Sequence, residues 1–401
     1  MTSAPRPRRV LIIVENLPVP FDTRVWNEAT ALAAEGYEVS VICPVAEGFE
    51  KRFEAIDGIF IYRHPLPADV GGRRAYVAEY ATAWFWQFYL AWRVLLERGF
   101  DVIHACNPPD TVFLIALVFK LMGKRFVFDH HDLSPELYTV KFGRRGLVYK
   151  LLLQLERWSF RVADVVIATN ESYRRVAVDR GGVEPERVWV VRSGPRSERL
   201  RLLPPNPMLK RGRAHLVGYV GLMARQDGVH YLLEAARHIV HDLGRRDVHF
   251  HLVGGGPEIE ALRQQSVALA IADYVTFAGR VPDRELVEML STADVCVSPD
   301  EVNEMNDKST MNKVMEYMAL GKPIVQFETT EGRFSAQSAA LYARPNDARD
   351  LAAKVLELLA DPDRRRAMGG VGLERIRSEL AWQHQAVKLL AAYDAAFSVR
   401  P

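Results

Sequence analysis

The chain has 401 residues, 49% of them hydrophobic and 25% charged, enough for two or three globular domains. A formal net charge of +2 provides no global field for nucleic acid, so no nucleic-acid partner is expected. Cys43, Cys106 and Cys296 lie far apart in apolar runs, with neither metal spacing nor an even disulfide framework, as expected of buried thiols in a reducing cytoplasm.

The basic N-terminus leads into VLIIV (10–14), which is one strand long and meets Glu15 at once. That is too short for the apolar core of a signal peptide. A helix over TRVWNEATALAAEG (23–36) follows, with Gly36 as its stop, and then the strand YEVSVICP (37–44). ATAWFWQFYLAW (81–92), bounded by Glu79 and Arg93, falls short of the ~20 residues that span a bilayer. It reads as a buried helix, with interfacial membrane contact as the alternative.

FDVIHACNPPD (100–110), KRFVFDHHD (124–132), ADVVIATN (163–170) and VWVVRSG (188–194) continue the strands, and TVFLIALVFKLMG (111–123) is an intervening helix. Continuous apolar strands separated by helices imply a parallel sheet covered on both faces. The pattern breaks over 192–214, rich in Pro, Arg and Ser, which reads as a linker. It then restarts with HLVGYVG (215–221), VHFHLVGGG (248–256), YVTFAG (274–279), VCVSPD (295–300) and PIVQFE (323–328), each trailed by a helical segment. The expectation is an α/β protein of two doubly wound, Rossmann-like domains: 1–195, 196–380, and a last helix over 381–401 packing back toward the first. DPD (361–363) suits a helix cap better than a metal site.

Ligands of open α/β sheets bind beyond the carboxyl ends of the strands, so the chemistry is sought in the loops there. In the second half these are GLMARQDG (221–228), HLVGGGPE (251–258), FAGRVP (277–282) and NDKSTMNKVMEYMALGKPIV (306–325). The glycines permit close backbone approach, and a helix N-terminus favours an anion; a plain tight turn is the alternative for each. Val314, Met315 and Met318 form an apolar stripe with Met311 and Ala319, leaving Asn312 and Glu316 on the polar flank behind Lys308, Ser309 and Thr310. A phosphate at that end and a diol on Glu316 would suit a nucleotide sugar. The bland alternative is a surface Glu316 paired with Lys313 or Lys322. In the first half, Asp22 and Arg24 sit in a long strand-to-helix loop, His104, Asn107 and Asp110 at one strand end, and Asp129, His130, His131, Asp132 and Glu136 at another. A metal set at the last has no companion cluster, so a histidine meeting a polar ligand is expected.

DVIHACNPPD, VFDHHDLSPELY, the pair HLVGGGPE and VTFAGRVP, and DKSTMNKVMEYMALGKPIV together resemble a retaining glycosyltransferase of family GT4, with the GT-B fold of two such domains facing across a cleft. The resemblance covers nearly the whole chain and implies the following roles. Glu316 binds the donor ribose. Ser309, Thr310, Met311 and Asn312 form the turn that meets the diphosphate or sugar. Arg280 and Val281 frame the base, Gly254, Gly255 and Gly256 lie behind the nucleotide with Gly221 and Arg225 nearby, and His131 reaches the donor sugar from the other domain. No metal or other cofactor is implied.

Three departures stand out. The family's first glutamate, eight positions before Glu316, is Lys308, with Asp307 beside it as a substitute. The usual Arg and Lys of GLMARQDG are Leu222 and Asp227, leaving Lys308 or Arg225 to supply the lost charge. PVPFD (18–22) replaces a Gly-Gly turn, making Asp22 and Arg24 candidate acceptor or diphosphate contacts, alongside His104, Asn107, Asp132 and Glu136. His131, Asp307 and Lys308 are the expected catalytic residues.

The expected function is sugar transfer from a nucleoside-diphosphate sugar, UDP-sugar favoured, to a hydroxyl acceptor in cell-surface polysaccharide or glycoconjugate assembly. A soluble small-molecule acceptor, a catalytically silent partner subunit and a sugar-nucleotide epimerase or hydrolase remain as alternatives. YATAWFWQFYLAWRVLL (80–96) and KFGRRGLVYK (141–150) suit either a lipid-linked acceptor with peripheral membrane contact or a core helix and a solvated loop. The expected location is the cytoplasm, with the inner face of the cell membrane as its variant.

Overall fold

A computed structural model describes residues 6–66, 73–196 and 198–398, apart from the side chains of 73–80; the first five residues of the basic N-terminus lie outside them. The chain divides into two compact units, Met1–Arg192 with Gln385–Pro401, and Ser193–His384.

Among the described residues, unit 1 has eight strands: β1 (Arg9–Ile13), β2 (Glu38–Pro44), β3 (Phe53–Ile56), β4 (Ile59–His64), β5 (Val102–Cys106), β6 (Arg125–His130), β7 (Val165–Ala168) and β8 (Val188–Val190). Their order is β3-β4-β2-β1-β5-β6-β7-β8. All neighbours are parallel except the edge hairpin β3–β4, which is antiparallel. That hairpin turns on Asp57 and Gly58, both at positive φ (50° and 79°), the geometry an Asp-Gly pair favours; the alternation of strands and helices alone does not reveal it.

The aromatic segment 81–92 lies in the helix Arg73–Glu97. The expectation of a buried helix needs correcting: Trp84, Phe88 and Trp92 pack on the core, whereas Phe85 and Tyr89 are exposed. No helix among the described residues is long and apolar enough to cross a membrane. The last helix, Trp382–Ser398, reaches unit 1 through Tyr393, whose hydroxyl lies 2.8 Å from His104 Nδ1, and through Asp394, 3.0 Å from Arg8.

Unit 2 has six strands among the described residues: β9 (His215–Val220), β10 (Val248–Val253), β11 (Val275–Gly279), β12 (Val295–Ser298), β13 (Ile324–Phe327) and β14 (Ala340–Ala343). The order β11-β10-β9-β12-β13-β14 reverses between β9 and β12, which creates a topological switch point. All pairs are parallel. Strands β10, β12 and β13 are buried along their whole length, as a sheet covered on both faces requires; Val, Leu, Ile and Phe dominate, with His249, His251, Ser298 and Gln326 buried among them.

Beyond β9, β10 and β11 the loops are joined backbone to backbone. Gly221 N–H donates to Val253 O (3.1 Å), Met223 N–H to Gly255 O (2.8 Å), Gly254 N–H to Gly279 O (2.8 Å) and Glu258 N–H to Met223 O (3.0 Å). Gly254 has φ 132°, and a Cβ there would stand 1.8 Å from the Gly221 carbonyl oxygen. At Gly255 a Cβ would meet only the Arg280 side chain, at 3.8 Å. Gly254→Ala should therefore cost about 3 kcal/mol, a fall of roughly 6–12 °C in Tm for a unit of this size, whereas Gly255→Ala should cost less than about 0.5 kcal/mol. Thermal unfolding of the two variants checks this; equal losses would show that the loops do not depend on that close approach.

Candidate functional site

Glu316 projects from the helix Asn312–Ala319, which lies between β12 and β13. The helix is held by the neighbouring Tyr317, whose buried hydroxyl accepts from Val220 N–H (2.9 Å) and donates to Val297 O (3.2 Å). Val314, Met315 and Met318 complete the buried face, so the helix that carries Glu316 is anchored at the end of β9. Burial pushes its carboxyl above the ordinary glutamate range, against the pull of Arg199. Arg199 Nη1 lies 3.3 Å from Glu316, while its other nitrogens bind both Asp283 oxygens at 2.8 Å. Neither lysine suggested by the sequence pairs with Glu316: Lys322 donates to the carbonyls of Ser291 and Ala293, and Lys313 turns the other way.

Lys313 is the cation that the sequence reading placed wrongly. Its Nζ is buried 2.6 Å from Asp300 and 3.6 Å from Asp227, and its stem lies directly under Gly221, with Cε 3.0 Å from where a Cβ would be. Desolvation opposes its charge, but the two carboxylates and the Tyr219 ring more than offset this and raise its pKa. Burial lifts Asp227 to about 6, and Lys313 limits the rise. The acid at a family lysine position is therefore matched by a lysine rising from beneath the same loop.

The stretch before Glu316 also differs from expectation. Residues 304–308 form a short helix of their own, and the chain breaks at Ser309–Met311 before the next helix begins. Lys308 thus closes the earlier helix, 3.3 Å from Glu304, rather than opening the later one. Ser309 Oγ donates to Met305 O (2.8 Å), Met311 takes the N-cap position, and Asn312 is exposed. Asp307 accepts from the Thr330 N–H (2.8 Å) and hydroxyl (2.9 Å); its carboxylate is tied to the first residue of the helix Thr330–Ala336. Thr310 and Val281 are half-buried, and Arg225 and Arg280 are exposed. Asp361 accepts from Arg364 N–H, so DPD does cap a helix.

In unit 1 most expected acceptor residues are structural. Arg24 is buried and grips Asp129 with two nitrogens (2.9 and 2.7 Å), while reaching Glu28 (3.2 Å) and Val191 O (2.9 Å). Asp22 caps the helix Thr23–Ala34 by accepting from Arg24 and Val25 N–H. His104 is fully buried against Tyr393. Glu136 is buried on Arg180 (2.6 Å). These four are corrections to the acceptor assignment, because their polar atoms face the interior or their own helix end. Asn107 braces the loop after β6: its Oδ1 accepts from His131 and Asp132 N–H (2.9 and 3.1 Å), and its Nδ2 donates to Asp132 O (2.7 Å). Asp132 is half-buried, and burial raises its carboxyl.

His131 emerges from that braced loop, partly exposed, with Nδ1 3.4 Å from Asp129. Burial pulls its pKa down, but Asp129 more than offsets this and holds it at about 9. The imidazole is therefore a cation at neutral pH. Ligand atoms of Glu28, His104, Cys106 and Asp129 lie within 4.8 Å of one another, yet the Arg24 guanidinium already balances both carboxylates there.

Residues 22–194 match the model of the glycosyl transferase 4-like domain, and residues 214–361 that of glycosyl transferases group 1. The chain belongs to the GT4-type glycosyltransferases. Among relatives, the alpha-maltose-1-phosphate synthase of Mycolicibacterium smegmatis is 28% identical over 69% of this chain and 74% of that one. Among solved structures, sucrose-phosphate synthase from Thermosynechococcus elongatus has a TM-score of 0.81 at 20% identity, covering 98% of this chain and 99% of that one. Anabaena Alr3699/HepE in complex with UDP-glucose has 0.75 at 14% identity, covering 96% and 99%. At these identities the two structures share the GT-B fold.

Within this glycosyltransferase, the residues that sequence reasoning missed are Lys313, Asp300, Tyr317 and Arg199. Lys313 lies next to the apolar stripe and looked like a surface residue; the acid that binds it, Asp300, lies two residues past β12, and only the fold joins the two. Lys313→Met should cost about 3–5 kcal/mol, because it strands two buried carboxylates. The variant's Tm should then rise as pH falls toward 6 and below, since protonating Asp227, which Lys313 no longer holds down, removes part of the penalty; a pH-independent loss would contradict this. For His131 the native pKa is raised, so its contribution is complete below about 6.5 and lost as pH rises through 9. The stability margin of wild type over His131→Gln, followed by denaturant unfolding, should narrow across that window and not below it.

Proposed function

We propose that this glycosyltransferase moves a hexosyl or hexosaminyl group, with retention, from a nucleoside-diphosphate sugar to a hydroxyl acceptor in cell-surface polysaccharide or glycoconjugate assembly. The observation that carries the reading is Glu316, on the helix whose Tyr317 is anchored at the end of β9, in a unit whose three strand-end loops are joined backbone to backbone. A partly desolvated carboxylate suits a ribose diol, and a helix start behind small polar residues suits a diphosphate. UDP is the favoured nucleotide; the UDP-glucose complex of the Anabaena structure supports that choice.

In the reaction the bond between the anomeric carbon and the phosphate oxygen breaks. The acceptor oxygen bonds to that carbon, and the acceptor proton passes to the departing phosphate. Preorganised N–H groups and cations stabilise the charge that develops, so the reading requires no metal. His131, charged at neutral pH, is the unit 1 group that the resemblance assigns to the donor sugar. The contrary reading, a catalytically silent subunit, draws on Lys308 in place of the first glutamate and on Asp307 being tied to Thr330.

Thermal unfolding with UDP, GDP and ADP, each with EDTA, separates the two. A nucleotide at ~100 times its Kd adds about 2.7 kcal/mol. We expect stabilisation by UDP, its loss in Glu316→Ala, and in Lys308→Ala a larger loss of the response to UDP than of the response to uridine; equal losses would sink the role of Lys308. No response to any of the three nucleotides would favour the silent subunit.

A further inference from the structure

Two neighbouring helices of unit 1 turn apolar side chains outward. On the helix Leu147–Val162 these are Leu147 (86% exposed), Leu151 (53%) and Trp158 (40%). Their spacing of four and seven residues puts them on one face. On the helix Phe113–Lys120 they are Leu114 and Leu117, with Leu121 (84% exposed) just past its end. The helices adjoin, with the Phe113 and Trp158 rings 5.9 Å apart. Exposed apolar side chains gathered on adjoining helices mark an interaction site.

The charge around this face has one sign. From Glu136 to Glu156 the chain contains no Asp or Glu, but it has Lys141, Arg144, Arg145 and Lys150, all exposed. Arg157 and Arg161 continue beside Trp158 and are exposed as well. The two bounding carboxylates are buried: Arg180 holds Glu136 at 2.6 Å and Glu156 at 2.7 Å. They therefore leave the field of the cations intact.

We propose that this face of unit 1 docks onto a lipid surface bearing anionic headgroups, with Leu147 and Leu151 entering the interface and the cations meeting phosphate. A helix with an apolar face flanked by Lys and Arg lies in the interfacial plane, and the segment is too short and too charged to go deeper. A second copy is a poorer occupant, because a two-fold contact sets a patch against itself and would oppose the same cations.

The test is co-sedimentation of the full chain with two kinds of vesicle, phosphatidylcholine alone and phosphatidylcholine with one quarter phosphatidylglycerol. Binding is expected only to the second, and it should weaken as salt shortens the screening length. The double variant Arg144→Gln and Lys150→Gln should bind about 25-fold less, at about fivefold per cation. Leu147→Ser with Leu151→Ser should lose binding that salt does not restore. All four residues are exposed, so both variants should keep the wild-type Tm and nucleotide response, which separates this proposal from the functional one. Equal partition onto both vesicles, or none onto either, overturns it. So does a concentration-dependent dimer, seen by light scattering, that the leucine variant abolishes while vesicle binding stays absent.

Discussion

The carbonyl oxygen of Gly221 stands where residue 254 would carry its first side-chain atom. That single contact lets the ends of β9 and β10 meet as bare backbone, and the rest of unit 2 is arranged around it. The hydrogen bonds from Gly221, Met223 and Gly254 use amide groups that would otherwise be unpaired at the strand ends. Lys313 supports the same loop from below, with Asp300 and Asp227 closing the charge balance. Glu316 stands one turn along the same helix, so the buried ion cluster and the partly desolvated carboxylate are set by one rigid element.

The first unit follows a comparable plan with different chemistry. Asp129 lies fully buried at the end of β6, where the Arg24 fork, His104 and Cys106 surround it. Its remaining reach is to His131, which it keeps charged. Buried charges are tolerated only when paired and hydrogen-bonded, and this arrangement converts a core ion pair into an outward-facing imidazolium. In both units, then, a buried acid governs the charge of a neighbouring cation.

The alternation of apolar strands and helices was legible in the sequence, because parallel sheets covered on both faces leave continuous Val, Ile and Leu runs. The glycine clusters at 254–256 were legible for the same local reason. The edge hairpin was missed because a two-residue turn in a βαβ rhythm is overridden by the longer pattern, although Asp57-Gly58 signals it. Arg24, His104 and Glu136 looked like ligand contacts because polar residues at strand ends usually face solvent. Their partners, Asp129, Tyr393 and Arg180, lie between 44 and 289 residues away. Pairing over such separations is a property of topology, and no local pattern reports it. Lys313 and Arg199 failed for the same reason.

The last helix of the chain belongs to the first unit. His104 Nδ1, fully buried, has the Tyr393 hydroxyl 2.8 Å away, and Tyr37 packs its ring edge-on against the same tyrosine. Domains generally fold as units while the chain is being made, N-terminal first. Here the N-terminal unit lacks a core residue until the chain has been made through residue 393. The ribosome must deliver the whole of unit 2 before unit 1 can close, so the two units mature together, and a prematurely ended chain carries a visible defect in its first domain.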